Sequence, residues 1–494
     1  MKKLLFGFGL CLSLCAPLVG GPYLMEKLGR GAVVIRPTAG SAYISWRLLG
    51  TEYTKDIAFN LYRSTDGAPA VKLNDAPLTA TTDFTDTAAD FAKLNVYSVR
   101  PVVDGVERAA DGEATLPANA PARQYLSIPL QIPAPGRTST GENYTYHAND
   151  CSVGDLDGDG EYEVIVKWDP SNSKGSSQEG LTGRQILDAY KLDGTRLWRI
   201  DVGPNIRSGP SFTQFMVYDL DGDNRAELVI KTADGTVDGL GQIIGDPTAD
   251  WTDLNPSSAT YGKVATGPEY LSVFDGPTGK VLATAPYIPG RDPINGWGGV
   301  GGNGGNDSEL NRGDAMLALV AYLDGSRPSV VMCRGFYGRS VLAAWDYRDG
   351  QLTSRWVFDS ELPPWKEHPI TYAFPAVTDP ATRNRLSTFS GQGGHVAAAD
   401  VDGDGKQEVI YHAMTVDDNG LGLYSTGLRH GDALHVSDLI PSRPGLEVFT
   451  VHENESPTDA FQGPAASVHD ARTGEVLWGV GFGADAGRGM AADI

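Results

Sequence analysis

The chain has 494 residues, with 40 Lys and Arg against 62 Asp and Glu for a net charge of −22, and 61 Gly and 31 Pro beside 41% hydrophobic residues. That length accommodates two or three domains, and the glycine and proline content suits a turn-dense β protein rather than a helical one. So acidic a chain argues against nucleic acid and anionic membranes as partners, and also against an anionic sugar polymer unless bound cations reverse the sign locally.

In chain order, Met1-Lys2-Lys3 precedes an apolar run from Leu4 to Cys15. A short basic head and an apolar stretch too short for a bilayer read as a secretory signal, so residues 1–21 are expected to be removed and the protein to be secreted or periplasmic. Cys11 and Cys15 each follow a leucine where a lipoprotein signal carries a small residue, which favours ordinary export. Beyond the signal only Cys151 and Cys333 remain. Two cysteines make no disulfide framework, and they read as separate thiols.

Residues 22–122 hold short β-like runs, among them Ala32–Ile35, Ala42–Trp46, Phe59–Tyr62 and Val96–Val99, separated by turn residues. Their spacing predicts a β-sandwich of the immunoglobulin or fibronectin kind, with nothing catalytic in it. A linker is expected at 116–121, and residues 123–494 form a second domain built by repetition.

The repeated element is an acidic turn. "DLDGDGEYEVIV" at 155 returns as "DLDGDNRAELVI" at 219 and "DVDGDGKQEVIY" at 400, with weaker copies "YLDGSRPSVVM" at 322 and "DLIPSRPGLEVF" at 438. An EF-hand loop places its bidentate Glu at position twelve and continues into a helix. Here the glutamate stands at position nine and a β-branched strand follows at once. Asp155, Asp157, Asp159 and Glu163, with the carbonyl of Glu161, form one expected Ca²⁺ site. The same count gives Asp219, Asp221, Asp223 and Glu227, then Asp400, Asp402, Asp404 and Glu408. Four carboxylates within nine residues repel one another without a cation. The degenerate copies lack the carboxylates and are expected to bind no ion, Arg and Pro holding the turn instead.

Hairpin signals recur later in most units, in "YKLDGTRLW", "FDGPTGKVL", "WDYRDGQLT" and "HDARTGEVLW". The unit is thus loop, strand, excursion and hairpin, beginning at 155, 219, 322, 400 and 438, with "AADI" at 491 opening another. Small repeated sheets that cannot bury their own faces predict an all-β, calcium-rich β-propeller.

Six of the eight histidines lie between 395 and 469. His395 precedes an acidic loop, and His430, Asp432 and His435 share one short segment. This cluster is either a metal or catalytic site or a set of satisfied structural side chains. Asn149, Asp150, Trp168, Asp169, Arg334, Arg339 and Arg488 suit a sugar-acid site or, equally, packing between sheets. No serine-hydrolase, zinc-protease or phosphate-loop motif is present, and "GGVGGNGGN" at 298–306 reads as a surface insertion.

Taken together, "GRGAVVIRPTAGSAYISWRLLG", "NDCSVGDLDGDGEYEVIVKWDPSNSKG", "PSVVMCRGFYGRSVLAAWD", "LYSTGLRHGDALHVSDLIPSRPGLEVF" and "GRGMAADI" resemble the rhamnogalacturonan lyases of polysaccharide lyase family 11. The resemblance implies an eight-bladed propeller that cleaves the rhamnose–galacturonate bond of pectic rhamnogalacturonan I by β-elimination. It implies Asn149 and Asp169 as substrate contacts, Arg488 as a catalytic or carboxylate-binding residue, and His395 and His435 as cleft residues at or beside calcium. Asp150 and Asp432 join the implied ligands. Arg429 stands where the family is expected to have a small residue. The family's domain is expected to continue past 494, so the chain reads as C-terminally truncated. A calcium-dependent lyase, monomeric and acting on an anionic cell-wall polysaccharide, is the leading expectation, and a non-catalytic carbohydrate-binding or adhesion propeller is the alternative.

Overall fold

The structure, a computed structural model, describes residues 23–52, 56–298, 309–367, 389–453, 464–481 and 486–492. The expected signal, nearly all of the 298–306 glycine stretch and the last two residues lie outside them. Among the described residues there is no α-helix, only a single 3₁₀ turn at Trp365–Glu367.

Two sheets form the N-terminal part. Val33–Thr38, Ser41–Ser45 and Asp83–Asp86 make one, and Ile57–Thr65 with Asn95–Val103 centres the other, to which Gly112–Leu116 adds an edge. Val34, Ala42, Ile44 and Trp46 of the first face Phe59, Leu61, Tyr97 and Val99 of the second across one apolar core. The alternation of buried and half-exposed positions along Ser41–Ser45 is the period of two that a one-sided strand requires.

Five antiparallel meanders follow. The first contains Tyr146–Gly154, Glu163–Pro170, Ile186–Tyr190 and Arg196–Asp201 in spatial order, and two short strands extend it. The second runs Phe215–Tyr218, Glu227–Thr232, Tyr270–Phe274 and Val281–Pro286, and the third Met316–Ala321, Ser329–Arg334, Val341–Arg348 and Gln351–Asp359. The fourth is Val396–Ala399, Glu408–Tyr411, Met414–Val416 and Gly422–Ser425, and the fifth Ala433–Ser437, Glu447–Val451, Ala466–Asp470 and Val476–Val480. The first strands of successive meanders touch in chain order, from the first through to the fifth.

Each acidic or degenerate loop joins the first strand of its meander to the second. The repeating sheet therefore begins one strand before the loop, which corrects the expected boundaries at 155, 219, 322, 400 and 438. That first strand carries no repeated signature, so the sequence did not mark it. All four expected hairpins join third to fourth strands. In the third meander the two-residue turn Asp349-Gly350 has φ of 51° and 74°, both in the left-handed region a type I′ hairpin demands.

The core lies between sheets. Leu228 and Ile230 pack towards the first meander, while Val229 in the same strand packs towards the third. Val331 and Cys333 face the fourth meander, and Val330 and Met332 face the second. Alternate residues of one strand thus serve two interfaces, which is why inner strands read as unbroken apolar runs. Sheets approach closely: a Cβ on Gly154 would lie 2.7 Å from Val217 Cγ1 and 2.8 Å from Ala226 Cβ. Cys333 is buried and Cys151 exposed, and neither is in a disulfide.

Leu228, fully buried at the first interface, provides a test. Leu228→Ala is expected to lower the stability read from urea denaturation by about 2–5 kcal/mol, and a loss well under about 1 kcal/mol would show that the interface is not close-packed.

Candidate functional site

Antiparallel pairing separates two ends of every meander. The acidic loop occupies one, so the start of the first strand and the exit of the second share the other. The side chains the sequence nominated for chemistry divide along this line.

At the loop end, the three full copies close in the same way. Glu163, Glu227 and Glu408 each accept, through Oε2, the amide N–H of the second loop residue, at 2.8, 2.8 and 2.7 Å from Leu156, Leu220 and Val401. Asp155, Asp219 and Asp400 take the amides of the fourth and sixth loop residues. Asp157, Asp221 and Asp402 take those of Asp159, Asp223 and Asp404. Every loop therefore draws its carboxylates inward around buried glutamates. Burial, ahead of the neighbouring aspartates, pushes Glu163 up to about 7, Glu227 to about 9 and Glu408 to about 8. Glu161 directs its carboxylate away, to the Gly31 amide at 3.1 Å, leaving only its backbone to the loop.

The loops differ in what offsets the charge. Lys191 Nζ stands 2.5 Å from Asp157 Oδ2 and 3.2 Å from Asp159 Oδ2 in the first. In the third, Lys406 lies 3.1 Å from Asp404 Oδ2 and 3.0 Å from Asp418 Oδ2, yet Glu408 Oε1 is buried without a hydrogen-bond partner. No ion pair among the described residues reaches the second loop. Oxygen donors of Asp155, Asp157 and Glu163, of Asp219, Asp221 and Glu227, and of Asp400, Asp402 and Asp404 converge closely enough to share one cation. Hard oxygens with one backbone carbonyl fit calcium. The degenerate copies use arginine. Arg443 pairs with Asp470 at 2.9 Å and lies 3.6 Å from Glu447, whose Oε2 still accepts the Leu439 and Ile440 amides, and Arg327 pairs with Asp324.

At the opposite end are two groups. In the first meander the ladder between Ala148 and Cys151 is irregular, a bulge that takes Asn149 and Asp150 out of the strand's alternation. Asn149 Nδ2 donates to Asp169 Oδ2 at 2.8 Å, and Asp169 Oδ1 is buried with no hydrogen-bond partner. Lys167, itself 2% exposed, lies 3.2 Å from Asp150 Oδ2 and 3.9 Å from Asp169 Oδ1. Asp150, an expected metal ligand, is thus ion-paired to lysine here. Lys167 was missed because a lysine inside "VIVKWD" looks like any solvated strand position.

The second group gathers from the fourth and fifth meanders. His430 Nδ1 donates to the Gly393 carbonyl at 2.7 Å, which turns its Nε2 towards two carboxylates. Nε2 is buried, has no hydrogen-bond partner, and stands 3.6 Å from Asp432 Oδ1 and 3.6 Å from Glu453 Oε1. This nitrogen and the two carboxylates lie close enough together to share one cation, and a ligating histidine commonly gives its other N–H to a carbonyl. Arg488, 76% exposed, reaches Asp432 Oδ2 at 2.7 Å. The nearby ring of His430, then the Arg488 guanidinium, holds Asp432 down at about 2. His395 is exposed above the group. Partial desolvation, ahead of the attraction of Asp432, lowers its pKa, so the ring is neutral at pH 7.

It is His430 that faces the two carboxylates, whereas the Nε2 of His435 meets the Gly489 carbonyl at 3.2 Å and anchors the segment bearing Arg488. Glu453 was not foreseen, since it follows its strand in no recognisable motif. Three further histidines of the run, His412, His452 and His469, are fully buried and held neutral by desolvation. Arg334 is likewise internal, pairing with Glu269 at 2.7 Å, and Arg339 pairs with Asp359. Arg429 has φ of 74°, a conformation that favours glycine, in line with the small residue expected there.

Known proteins bear on this geometry. Residues 125–494 match the model for the C-terminal domain of rhamnogalacturonan lyase family 11, and residues 23–116 that for the beta-sheet domain of rhamnogalacturonan I lyases. The chain is 49% identical over 476 residues to rhamnogalacturonan endolyase YesW of Bacillus subtilis strain 168, covering 96% of this chain and 68% of that one. It is also 49% identical over 473 residues to rhamnogalacturonan exolyase YesX of the same organism, covering 95% of this chain and 68% of the relative. The solved structure of YesW superposes with a TM-score of 0.82 over 96% of this chain and 72% of that one. A Bacillus licheniformis lyase of family PL11, 48% identical, gives 0.80 with the same coverages.

The buried loop glutamates generate a prediction. A carboxyl whose folded pKa lies above its unfolded value is protonated in the fold and charged in the open chain, so stability falls as pH rises between the two. In chelator, the melting temperature is expected to drop from pH 5 towards pH 9, the range set by the values of about 7 to 9. Added calcium is expected to raise it, increasingly so at higher pH. A calcium increment that is absent, or independent of pH, would contradict the assignment.

Proposed function

The chain belongs to rhamnogalacturonan lyase family 11, a polysaccharide lyase family, and from that membership we propose that it is a secreted, calcium-dependent enzyme cleaving rhamnogalacturonan I at the bond between rhamnose and galacturonate. We read the five meanders as blades of a β-propeller within residues 123–494, preceded by the sandwich of residues 22–122. The observation that carries the proposal is the convergence of His430 Nε2, Asp432 and Glu453, with Arg488 and the neutral ring of His395 beside them.

β-Elimination asks for little. The C5–H bond beside a uronate carboxylate breaks, its electrons form the C4=C5 double bond, and the C4–O4 bond breaks with its pair leaving on the glycosidic oxygen, which takes up a proton. The difficulty is the negative charge that builds on the carboxylate as the C5 proton departs. A calcium ion held by His430, Asp432 and Glu453 would supply positive charge to that carboxylate. Arg488, exposed and already oriented on Asp432, is suited to bind the same group by a forked pair of hydrogen bonds. His395 has an unprotonated ring nitrogen at neutral pH to receive the C5 proton. Asn149, exposed and held by its hydrogen bond to Asp169, presents its amide to neighbouring sugar hydroxyls. The twelve carboxylates of the three loops lie at the far end of the sheets, so an acidic chain keeps a face that accepts an anionic polymer. We assign no role in nucleic-acid or membrane binding, and read the protein as a monomer.

Incubated with rhamnogalacturonan I and calcium, the protein is expected to generate the ultraviolet absorbance of an unsaturated uronate, and chelator is expected to abolish it. Reducing ends without absorbance would indicate hydrolysis, and binding without either a carbohydrate-binding module. Arg488→Ala is expected to lower kcat about a hundredfold or more, as loss of one donor to developing charge does, with the melting temperature unchanged. Equal loss of both would make Arg488 structural.

A further inference from the structure

A second cavity lies away from the His430 group and shares no lining residue with it. It has a volume of about 180 Å³, bounded by a separate two-stranded hairpin at 137–144, by 181–184 of the first meander, by 203–207 leading to the second, and by 250–264 from the second meander's long excursion. That is smaller than the roughly 300–1,000 Å³ of drug-sized sites and suits a single sugar ring. Its polar lining includes Arg137, Arg184 and Arg207, with the Thr182 hydroxyl and Tyr144 between them.

Arg207 is the unusual member. It is 5% exposed and makes no ion pair with any carboxylate of the described residues. Nη1 donates to the Gly175 carbonyl at 3.2 Å, and Nη2 to those of Gln178 and Gly180. Its Nε is buried with no hydrogen-bond partner. Burial, outweighing the attraction of Asp314, pushes the guanidinium down to about 10. A buried cation is normally paired, because desolvation is costly unless an opposite charge compensates. The acids behind it are already engaged. Glu269 is shared by Lys231 at 2.6 Å, Arg291 at 3.1 Å and Arg334 at 2.7 Å, and Asp314 lies 3.5 Å from Arg334. Among the described residues Arg137 donates only to the Gly141 carbonyl, while Arg184 pairs with Asp201. The one carboxylate in the lining, Asp250, is exposed at the rim and accepts the Thr252 amide.

We propose that this cavity is a second uronate-binding site, in which the carboxylate of one galacturonate unit is held by Arg207 and Arg137, with Arg184 adding positive charge at its edge, and the ring hydroxyls by the threonine and tyrosine edges. It rests on the reading that the chain acts on a uronide polymer, and it adds an anchor outside the catalytic group. Such an anchor raises the effective concentration of polymer at the cleft without touching the chemistry.

The test uses the full chain carrying Arg488→Ala, which removes the carboxylate contact at the catalytic group. Titration calorimetry with free galacturonate is expected to detect one remaining site, with galactose, which lacks the carboxylate, much weaker. Adding Arg137→Ala or Arg184→Ala, both exposed positions, is expected to weaken galacturonate binding about tenfold. In otherwise native protein the same two substitutions are expected to raise KM for the polymer while leaving kcat, and KM for a short oligosaccharide, unchanged. Arg207→Gln, checked for an intact fold by circular dichroism, is expected to abolish the site. Galacturonate binding that ignores all three arginines, or equals that of galactose, overturns the inference even if elimination activity is present. Arginine-dependent binding without any elimination activity leaves this site standing and overturns the proposed catalysis instead.

Discussion

Everything in the second domain turns on how a strand pair closes around its own negative charge. In each acidic loop the ninth-position glutamate folds back to the second residue's amide, and this single hydrogen bond brings three aspartates and a glutamate into one small volume. The closure starts the next strand without delay, so the inner strands reach their neighbours in register. It also leaves a charge that something must neutralise. The fifth meander, where Arg443 sits beside the equivalent Glu447, displays the requirement from the other side: where the aspartates are missing, a guanidinium takes the place a cation is proposed to hold elsewhere.

The chemistry depends on that arrangement by opposition. Because the loops claim one end of every sheet, the starts of first strands and the exits of second strands meet at the other, and Asn149, Asp169, His395, His430, Asp432 and Glu453 all arise there. A protein of net charge −22 can thus be acidic at one end and offer arginine, neutral imidazole and a cation-shaped donor set at the other.

Much of this was legible in sequence because the loops and hairpins carry local, repeated chemistry. The Asp-x-Asp-Gly-Asp spacing and the Asp-Gly pair at 349–350 each require a particular backbone, and the structure supplies it. What the sequence concealed was non-local. The strand preceding each loop has no repeated signature, so the unit appeared one strand too late. His430 and His435 stand five residues apart in one segment, and only the Gly393 and Gly489 carbonyls, contributed by distant chain, decide which ring turns a nitrogen towards the carboxylates. Lys167 and Glu453 belong to the same class, ordinary in their own strands and meaningful only beside their partners. Arg207 is the extreme case, since nothing in its neighbourhood along the chain signals a buried cation that makes no ion pair among the described residues.

The central claim, that divalent ions occupy the acidic turns, is tested most directly by an anomalous difference map from crystals grown in calcium. The account predicts peaks among Asp219, Asp221, Asp223 and Glu227, where no lysine intervenes, and between His430, Asp432 and Glu453. Featureless density at the second loop, its carboxylates satisfied by backbone amides and water alone, would contradict it.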